Sequence, residues 1–277
     1  MRIGYNTNGF AHHAPLDALS ILAELGYRSI AVTLDHQCLN PFAPDLSQQL
    51  ADYQRRIAQL GLHTVVETGA RFLLDPRTKH EPTLVTADAA GRARRVDFLK
   101  RAIDIAAQLG SDCISFWSGI VRDAAPTEAV WRRLVESLQP VLDHASHRQV
   151  AIGFEPEPGM FIDTMNRYDE LVERLGAPAH FRLTLDVGHL HCQGETPLAD
   201  YIHRYAPQLV NVHLEDMRAG VHDHLMFGEG EIDFRSVMTA FRDIQYAGGI
   251  HVELSRHSHE APTAAQRSLE FLRKHHP

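Results

Sequence analysis

The sequence predicts an α/β fold, a single-domain (β/α)8 TIM barrel spanning residues 1–277, and three observations carry that expectation. Strand-like and helix-like stretches alternate from end to end, eight of each, and eight βα units are the number that closes a parallel barrel. Several helical stretches end on a glycine that follows their last apolar residue, where a left-handed cap is easiest. Four apolar runs in the second half each end in a residue that can bind a metal or carry a proton. They are Val150–Glu155, Arg182–Asp186, Leu209–His213 and Gly249–Glu253. In a parallel barrel the strand C-termini face one mouth, so Glu155, Asp186, His213 and Glu253 are expected to meet there. Two Glu, one Asp and one His suit a divalent cation.

Taken in order, strands are expected near Ile3–Asn6, Ser29–Leu34, Thr64–Glu67, Cys113–Phe116, Val150–Glu155, Arg182–Asp186, Leu209–Leu214 and Gly249–Glu253. Helices are expected over Leu16–Leu25, Leu46–Leu60, Val96–Leu109, Glu128–Ala145, Tyr168–Leu175, Leu198–Tyr205, Phe234–Ile244 and Thr263–Lys274. Val96, Leu99, Ile103, Ala106 and Ala107 recur at helical spacing. Leu25-Gly26, Leu60-Gly61, Leu109-Gly110 and Leu175-Gly176 mark helix ends, and Pro126-Thr127-Glu128 and Glu231-Ile232-Asp233 supply starts. An open doubly wound sheet would call for a Gly-x-Gly-x-x-Gly turn after the first strand, and none is there.

One segment breaks the rhythm. Residues 68–92, containing Arg71, Arg77, Lys79, His80 and Pro82, have little periodicity and follow the third strand. Such a loop would lie at the catalytic mouth as a lid or substrate wall, or else be a tolerated surface insertion.

Composition narrows the function classes. The chain carries 44% hydrophobic and 22% charged residues, ordinary for a globular enzyme, and a net charge of −8. That charge offers no general attraction to nucleic acid or an anionic membrane surface, and no apolar run is long enough to span a bilayer. The first strand pattern begins at Met1–Asn6 with no signal-like stretch, and the three cysteines, Cys38, Cys113 and Cys192, are far apart. Both features lead us to expect a protein of the reducing cytoplasm. Among 19 histidines, His144, His147, His275 and His276 read as solvated helix-surface or tail residues, whereas the group from His189 to His224 calls for an explanation.

With these motifs the chain resembles the xylose-isomerase-like barrel superfamily of sugar isomerases and epimerases. That superfamily also holds apurinic-site endonucleases of the endonuclease IV kind (the AP endonuclease 2 family). The resemblance rests on Glu155 in GFEPEPG, Asp186 and His189 in LDVGH, His213 and Asp216 in VHLED, GEGEIDF at 228–234, and Glu253 in VEL. It implies that Glu155, Asp186, His213 and Glu253 hold one divalent ion such as Mn, Co, Mg or Zn. In the mechanism expected for such a site, Glu155 and Glu253, on opposite sides of the ion, remove and return the proton at carbon.

A second constellation is His189, His222 and His224. His222 and His224 are two apart, so on an extended segment both rings face the same side. In the endonuclease branch the matching region builds a further zinc site, with Asp where this chain has His222. A second Zn²⁺ on the three imidazoles is one reading; a substrate-orienting His189 with two loop histidines is the other. The branch's remaining metal position looks unfilled, since the strand ends offer Glu67 and Ser115-Phe116-Trp117, with His36 in uncertain register.

Further substrate-binding candidates are Glu67, Trp117, Arg218 and Arg256. Glu67 and Arg71 either bond substrate hydroxyls or pair with each other, the ion pair being the plainer reading. Phe116 and Trp117 form a wall against a sugar ring or are ordinary core. Gly228-Glu229-Gly230 reads as a tight turn before a helix and not as a phosphate loop.

The activity expected from this set is metal-dependent isomerisation or epimerisation of a small sugar or keto-sugar through an enediolate. The alternative is a dehydratase acting on a keto-sugar or keto-cyclitol at the same site. Cleavage at abasic sites in DNA is disfavoured by the charge and the missing histidines. A small-molecule sugar is the expected partner, with no nucleic acid or membrane; a homo-oligomer is left open.

Overall fold

The computed structural model describes residues 1–275, so His276 lies outside the described residues. Eight parallel strands close into a barrel. They are β1 (Arg2–Asn6), β2 (Ser29–Thr33), β3 (His63–Glu67), β4 (Cys113–Phe116), β5 (Ala151–Phe154), β6 (Phe181–Asp186), β7 (Leu209–Leu214) and β10 (Gly249–Val252). Each strand pairs with its neighbours in sequence, and β1 closes the ring on β10. A short antiparallel hairpin, β8 (Asp216–Arg218) and β9 (Val221–Leu225), rises from the mouth just after β7.

The helices are α1 (Pro15–Leu25), α2 (Leu46–Leu60), α3 (Ala89–Leu109), α4 (Thr127–Arg148), α5 (Met165–Arg174), α6 (Val187–Cys192), α7 (Leu198–Tyr205), α8 (Phe234–Asp243) and α9 (Ala261–His275). Gly26, Gly61 and Gly110 adopt the left-handed cap conformation expected of them. Asp233 accepts the N–H groups of Arg235 and Ser236 and starts α8. Among the described residues no helix is long and apolar enough to cross a membrane.

Three features depart from the sequence expectation. Helix α3 begins seven residues before Val96, capped by Asp88 accepting from Gly91, because the Ala- and Arg-rich stretch favours helix without an apolar stripe. Helix α6 and the β8–β9 hairpin are too short to leave a periodic signature.

Segment 68–92 reaches the mouth through Gly69, Arg71, Lys79 and His80, which line the cavity there, and its last four residues open α3. Arg95, 3% exposed, reaches from α3 into the segment, and its guanidinium donates to the carbonyls of Pro82 (2.8 Å), His80 (2.6 Å) and Thr68 (3.3 Å). A buried guanidinium satisfied by backbone acceptors fixes where the chain runs.

The barrel interior is polar along one line. Ser29 Oγ–H donates to His251 Nε2 (2.9 Å), His251 Nδ1–H to Asn211 Oδ1 (2.8 Å), and Asn211 Nδ2–H to Glu67 Oε1 (3.0 Å). Gly4 is obligatory beside this line, because a Cβ there would lie 2.3 Å from the His251 ring. Burial and the charge on His213 push His251 down to about 3, so it stays neutral and can accept from Ser29.

Candidate metal centre and active site

Strand register brings the four expected groups together. Asp186 is level with His213, His213 is level with His251, and Glu253 lies two residues beyond His251 on the same inward face. The two glutamates lie just past their strands, yet the ladder still holds their backbones. Glu155 N–H donates to Phe116 O (2.9 Å) and Glu253 N–H to Leu214 O (3.1 Å). One ligand atom from each of Glu155, Asp186, His213 and Glu253 lies within 4.8 Å of all the others.

His213 is the organising residue. Its Nε2–H donates to Glu67 Oε1 (2.8 Å), and the polar line through Asn211 and His251 anchors that carboxylate. Its other nitrogen, Nδ1, faces Glu155 Oε1 (3.1 Å), Glu253 Oε2 (3.0 Å) and Asp186 Oδ2 (3.9 Å). Without a cation, burial works against a charged imidazole. The carboxylates of Glu67, Glu155 and Glu253 outweigh it and raise His213 well above its ordinary range. The proton on Nδ1 thus occupies the direction from which a cation would bind.

Asp186 divides its two oxygens. Oδ1 accepts from His189 N–H (2.8 Å) and caps α6, while Oδ2 is buried with no hydrogen-bond partner among the described residues. An orphaned carboxylate oxygen beside three other hard or borderline donors is the fit expected of a divalent-cation site. Burial pushes Glu155 up to about 8. Glu253 is driven the other way: burial opposes its charge, but His213 at 3.0 Å outweighs that and holds it below the usual carboxylate range. The surroundings thus push two acids of one site in opposite directions.

His189, His222 and His224 form a second group, with one nitrogen of each within 4.8 Å of the others. His189 Nδ1–H donates to Pro156 O (3.2 Å), which leaves its Nε2 with a lone pair, and His224 Nδ1–H donates to Glu253 O (3.2 Å). His222 Nε2 approaches His189 Nε2 at 3.0 Å and supplies the proton between them. Burial lowers His189 to about 4 and also lowers His222, so both rings are neutral.

The remaining candidates divide. Trp117 lines the cavity above the quartet, edge-on to His80 and beneath the Arg95 guanidinium at 5.1 Å. Arg256 lines it too and pairs with Asp223. The expected Glu67–Arg71 ion pair does not form. Glu67 reaches across the barrel to His213, whereas Arg71 donates to Asn8 O (3.1 Å) and approaches Asp35 (3.8 Å). Arg218 is misplaced by the expectation: Met217 takes the inward position on β8, and Arg218 turns outward to donate to Glu229 O. His36 stands in a neighbouring cavity and not at the quartet. Asp216 is structural, accepting from Met217, Gly228 and Ile232 N–H and so fixing the turn that precedes α8.

Four contributors went unread in the sequence. Asn8 Nδ2–H donates to Glu253 Oε1 (2.6 Å), and Glu157, two residues after Glu155, lines the cavity. Asn211 orients Glu67. Glu215 is fully buried with neither oxygen partnered among the described residues. Burial and the charges on Asp186 and Glu253 raise it well above the usual range. Gly188 exists to admit it, since a Cβ there would lie 2.0 Å from Glu215 Oε1. Glu215 continues the inward alternation of His213 at the end of β7, which is the signal that could have found it, whereas Glu157 follows β5 in irregular backbone with no such signal.

Residues 19–275 match the family described as the xylose isomerase-like TIM barrel. The chain belongs to that family. It is 24% identical over 252 residues to L-ribulose-5-phosphate 3-epimerase UlaE of Shigella flexneri serotype 5b (strain 8401), covering 90% of this chain and 85% of the relative. The fold is similar to that of 3-keto-D-glucoside 4-epimerase YcjR from E. coli in its apo form. There the TM-score is 0.80, with 17% identity over 99% of both chains. It is also similar to the IOLI protein with a bound zinc atom, with a TM-score of 0.77, 17% identity, and coverage of 100% of this chain and 98% of that one.

Proposed function

We propose that this family member is a divalent-metal-dependent epimerase or isomerase of a small carbonyl sugar. The observation that carries the reading is the aim of His213 Nδ1 into three carboxylates while Glu67 occupies its other nitrogen. Glu155, Asp186, His213 and Glu253 would hold the ion, which when bound would polarise the substrate carbonyl as a Lewis acid. UlaE and YcjR, both named as sugar epimerases, support the same class.

The protein's own groups account for the proton transfer. Glu253, ionised and steadied by Asn8, takes a proton from the carbon beside the carbonyl. Glu155, across His213, delivers a proton drawn from solvent to the opposite face while Glu253 releases its own to solvent, so the configuration at that carbon inverts. His189 holds a substrate oxygen, and Trp117 and His80 close the wall above the ring. The same paired acid and base would serve a dehydratase, and product mass separates the two outcomes.

The set His189, His222 and His224 also suits a second late first-row ion, because the backbone carbonyls of Pro156 and Glu253 orient two of the rings. Zinc in the IOLI structure makes Zn²⁺ a first choice to test for the barrel mouth.

The deciding experiment is ketose exchange in D2O, followed by NMR, with the Mn²⁺-, Co²⁺- and Zn²⁺-loaded protein and a chelated control. Deuterium entering beside the carbonyl only when metal is present is the expected result. Metal-independent exchange, or none on any ketose or keto-glycoside, would sink the proposal. Elemental analysis of wild type against His222→Ala reads the second ion as a fall from two equivalents to one.

A further inference from the structure

Two chambers open at the mouth, and they differ in chemistry. The chamber over the quartet, about 570 Å³, is walled largely by charged and hydrogen-bonding groups, as a polyhydroxylated substrate requires. A second chamber of about 250 Å³ lies beside it, at the ends of β1, β2 and β3. Its walls include Phe10, Ala18 and Tyr53, each at most 3% exposed, together with Pro15 and Cys38. Asn8, Ala11, Thr33 and Arg71 line both chambers.

We propose that the second chamber is a subsite for an apolar, ring-sized substituent, so that the preferred substrate is a glycoside or comparable sugar conjugate. The inference rests on the epimerase reading for the sugar end of the ligand and adds the identity of the other end.

The junction between the chambers lies one side chain from the chemistry. Asn8 donates to Glu253 Oε1 through its side chain and accepts from Arg71 through its carbonyl. A ligand whose reacting carbon meets Glu253 therefore has Arg71 beside it. Arg71 is lightly held, by that one carbonyl bond and by Asp35 at 3.8 Å. It can swing to admit a linker.

The chamber itself is suited to an apolar guest. Cys38 Sγ and Tyr53 OH satisfy each other at 3.0 Å and so turn no unpaired polar atom toward a guest. Burial pushes the Cys38 thiol up to about 11, which removes it as a nucleophile. His13 packs tilted against Phe10, with ring centroids 5.0 Å apart, and its unpartnered Nδ1 offers a hydrogen bond to a polar handle. The apolar wall of Phe10, Ala11, Pro15, Ala18, Cys38 and Tyr53 stands among polar residues that include Asp35, Gln37 and Arg71, and an apolar surface with placed polar groups is how proteins bind small non-sugar moieties.

The test compares methyl and phenyl 3-keto-glycosides of the same ring configuration, titrated calorimetrically into the Mn²⁺-loaded full chain. The phenyl member is expected to bind roughly tenfold tighter, from burial of its ring. Two blocking variants, Ala18→Leu in the chamber and His36→Trp at its exposed rim, should bring the phenyl-to-methyl ratio to within about twofold of unity. The rim variant keeps the test valid if the buried one fails to fold. Equal affinities, no binding of the phenyl glycoside, a preference that survives blocking, or stronger binding of a 6-phosphate than of the phenyl group would overturn the assignment. The two readings fail separately. A phenyl preference without deuterium exchange removes the epimerase reading alone, and exchange without the preference removes the subsite alone.

Discussion

The two sides of the barrel mouth are built by different means. On the side of β5, β6, β7 and β10, functional groups stand on or one residue past strand ends, and inter-strand hydrogen bonds fix them. On the side of β1, β2 and β3, the strand ends Asn6, Thr33 and Glu67 line the cavity too, but Asn8, Arg71, Lys79 and His80 line it from the segments that follow, with Arg95 pinning the longest of these from behind. Strand ends suit reactions that tolerate no displacement, whereas loops suit the choice of what is bound. The comparison makes a sharp claim: changes on the first side should act on turnover, and changes on the second on selection and local order.

The largest effect should come from removing a charge on the strand-end side without changing shape. Glu253→Gln or Glu155→Gln should lower kcat about 10²- to 10⁴-fold in metal-saturated protein, with much smaller changes in KM. Steady-state kinetics at saturating Mn²⁺ checks this; equal losses in kcat from Lys79→Gln would erase the distinction between the sides. Next in size is Arg95→Met, which leaves the carbonyls of Thr68, His80 and Pro82 without their buried donor. A loss of about 2–4 kcal/mol is expected by denaturant titration, with new proteolytic sensitivity confined to residues 68–88. Cleavage elsewhere would mean that Arg95 holds more than the loop.

Below these lies the support for the metal. Glu67→Gln keeps the size of the group but weakens its hold on His213 Nε2, and should weaken metal binding about 10- to 100-fold. Metal affinity should also depend on pH in a signed way. In the metal-free protein Glu155 carries its proton below about 8, and His213 keeps its own well above the ordinary imidazole range. A cation displaces both, so affinity rises with pH. Each displaced proton contributes roughly tenfold per pH unit, so the slope should fall from about two protons to about one as pH passes 8. Competition titrations against a chelator of known affinity read this directly. A flat profile would show that the ion does not use these groups.

The same contrast explains what the sequence revealed. Barrel closure, the eight strands and the convergence of Glu155, Asp186, His213 and Glu253 were legible because each is periodic or terminal to a periodic run, and strand register does the rest. Glu67 was visible but paired with Arg71, because its partner His213 is 146 residues away and no local pattern encodes a contact across the barrel. Arg95 was hidden for the opposite reason, as an arginine in a helix reads as a solvated surface. Glu215 hid in plain sight between His213 and Asp216, where an acid ordinarily reads as exposed. It is buried because Gly188 leaves room for it.

Arg218 supplies the smallest effect and the finest check on the hairpin. Alternation along β8 turns Met217 inward and Arg218 outward, so the guanidinium serves only the Glu229 carbonyl at the exposed turn. Arg218→Ala should change kcat/KM by less than about twofold and stability by no more than about 0.5 kcal/mol. Its neighbours on β9 make the comparison: His222→Ala and His224→Ala remove rings that meet His189 over the cavity, and should impair substrate or metal binding. If Arg218→Ala instead raised KM severalfold, the hairpin would have to turn over when substrate binds, carrying Arg218 into the cavity and the two histidines out of it.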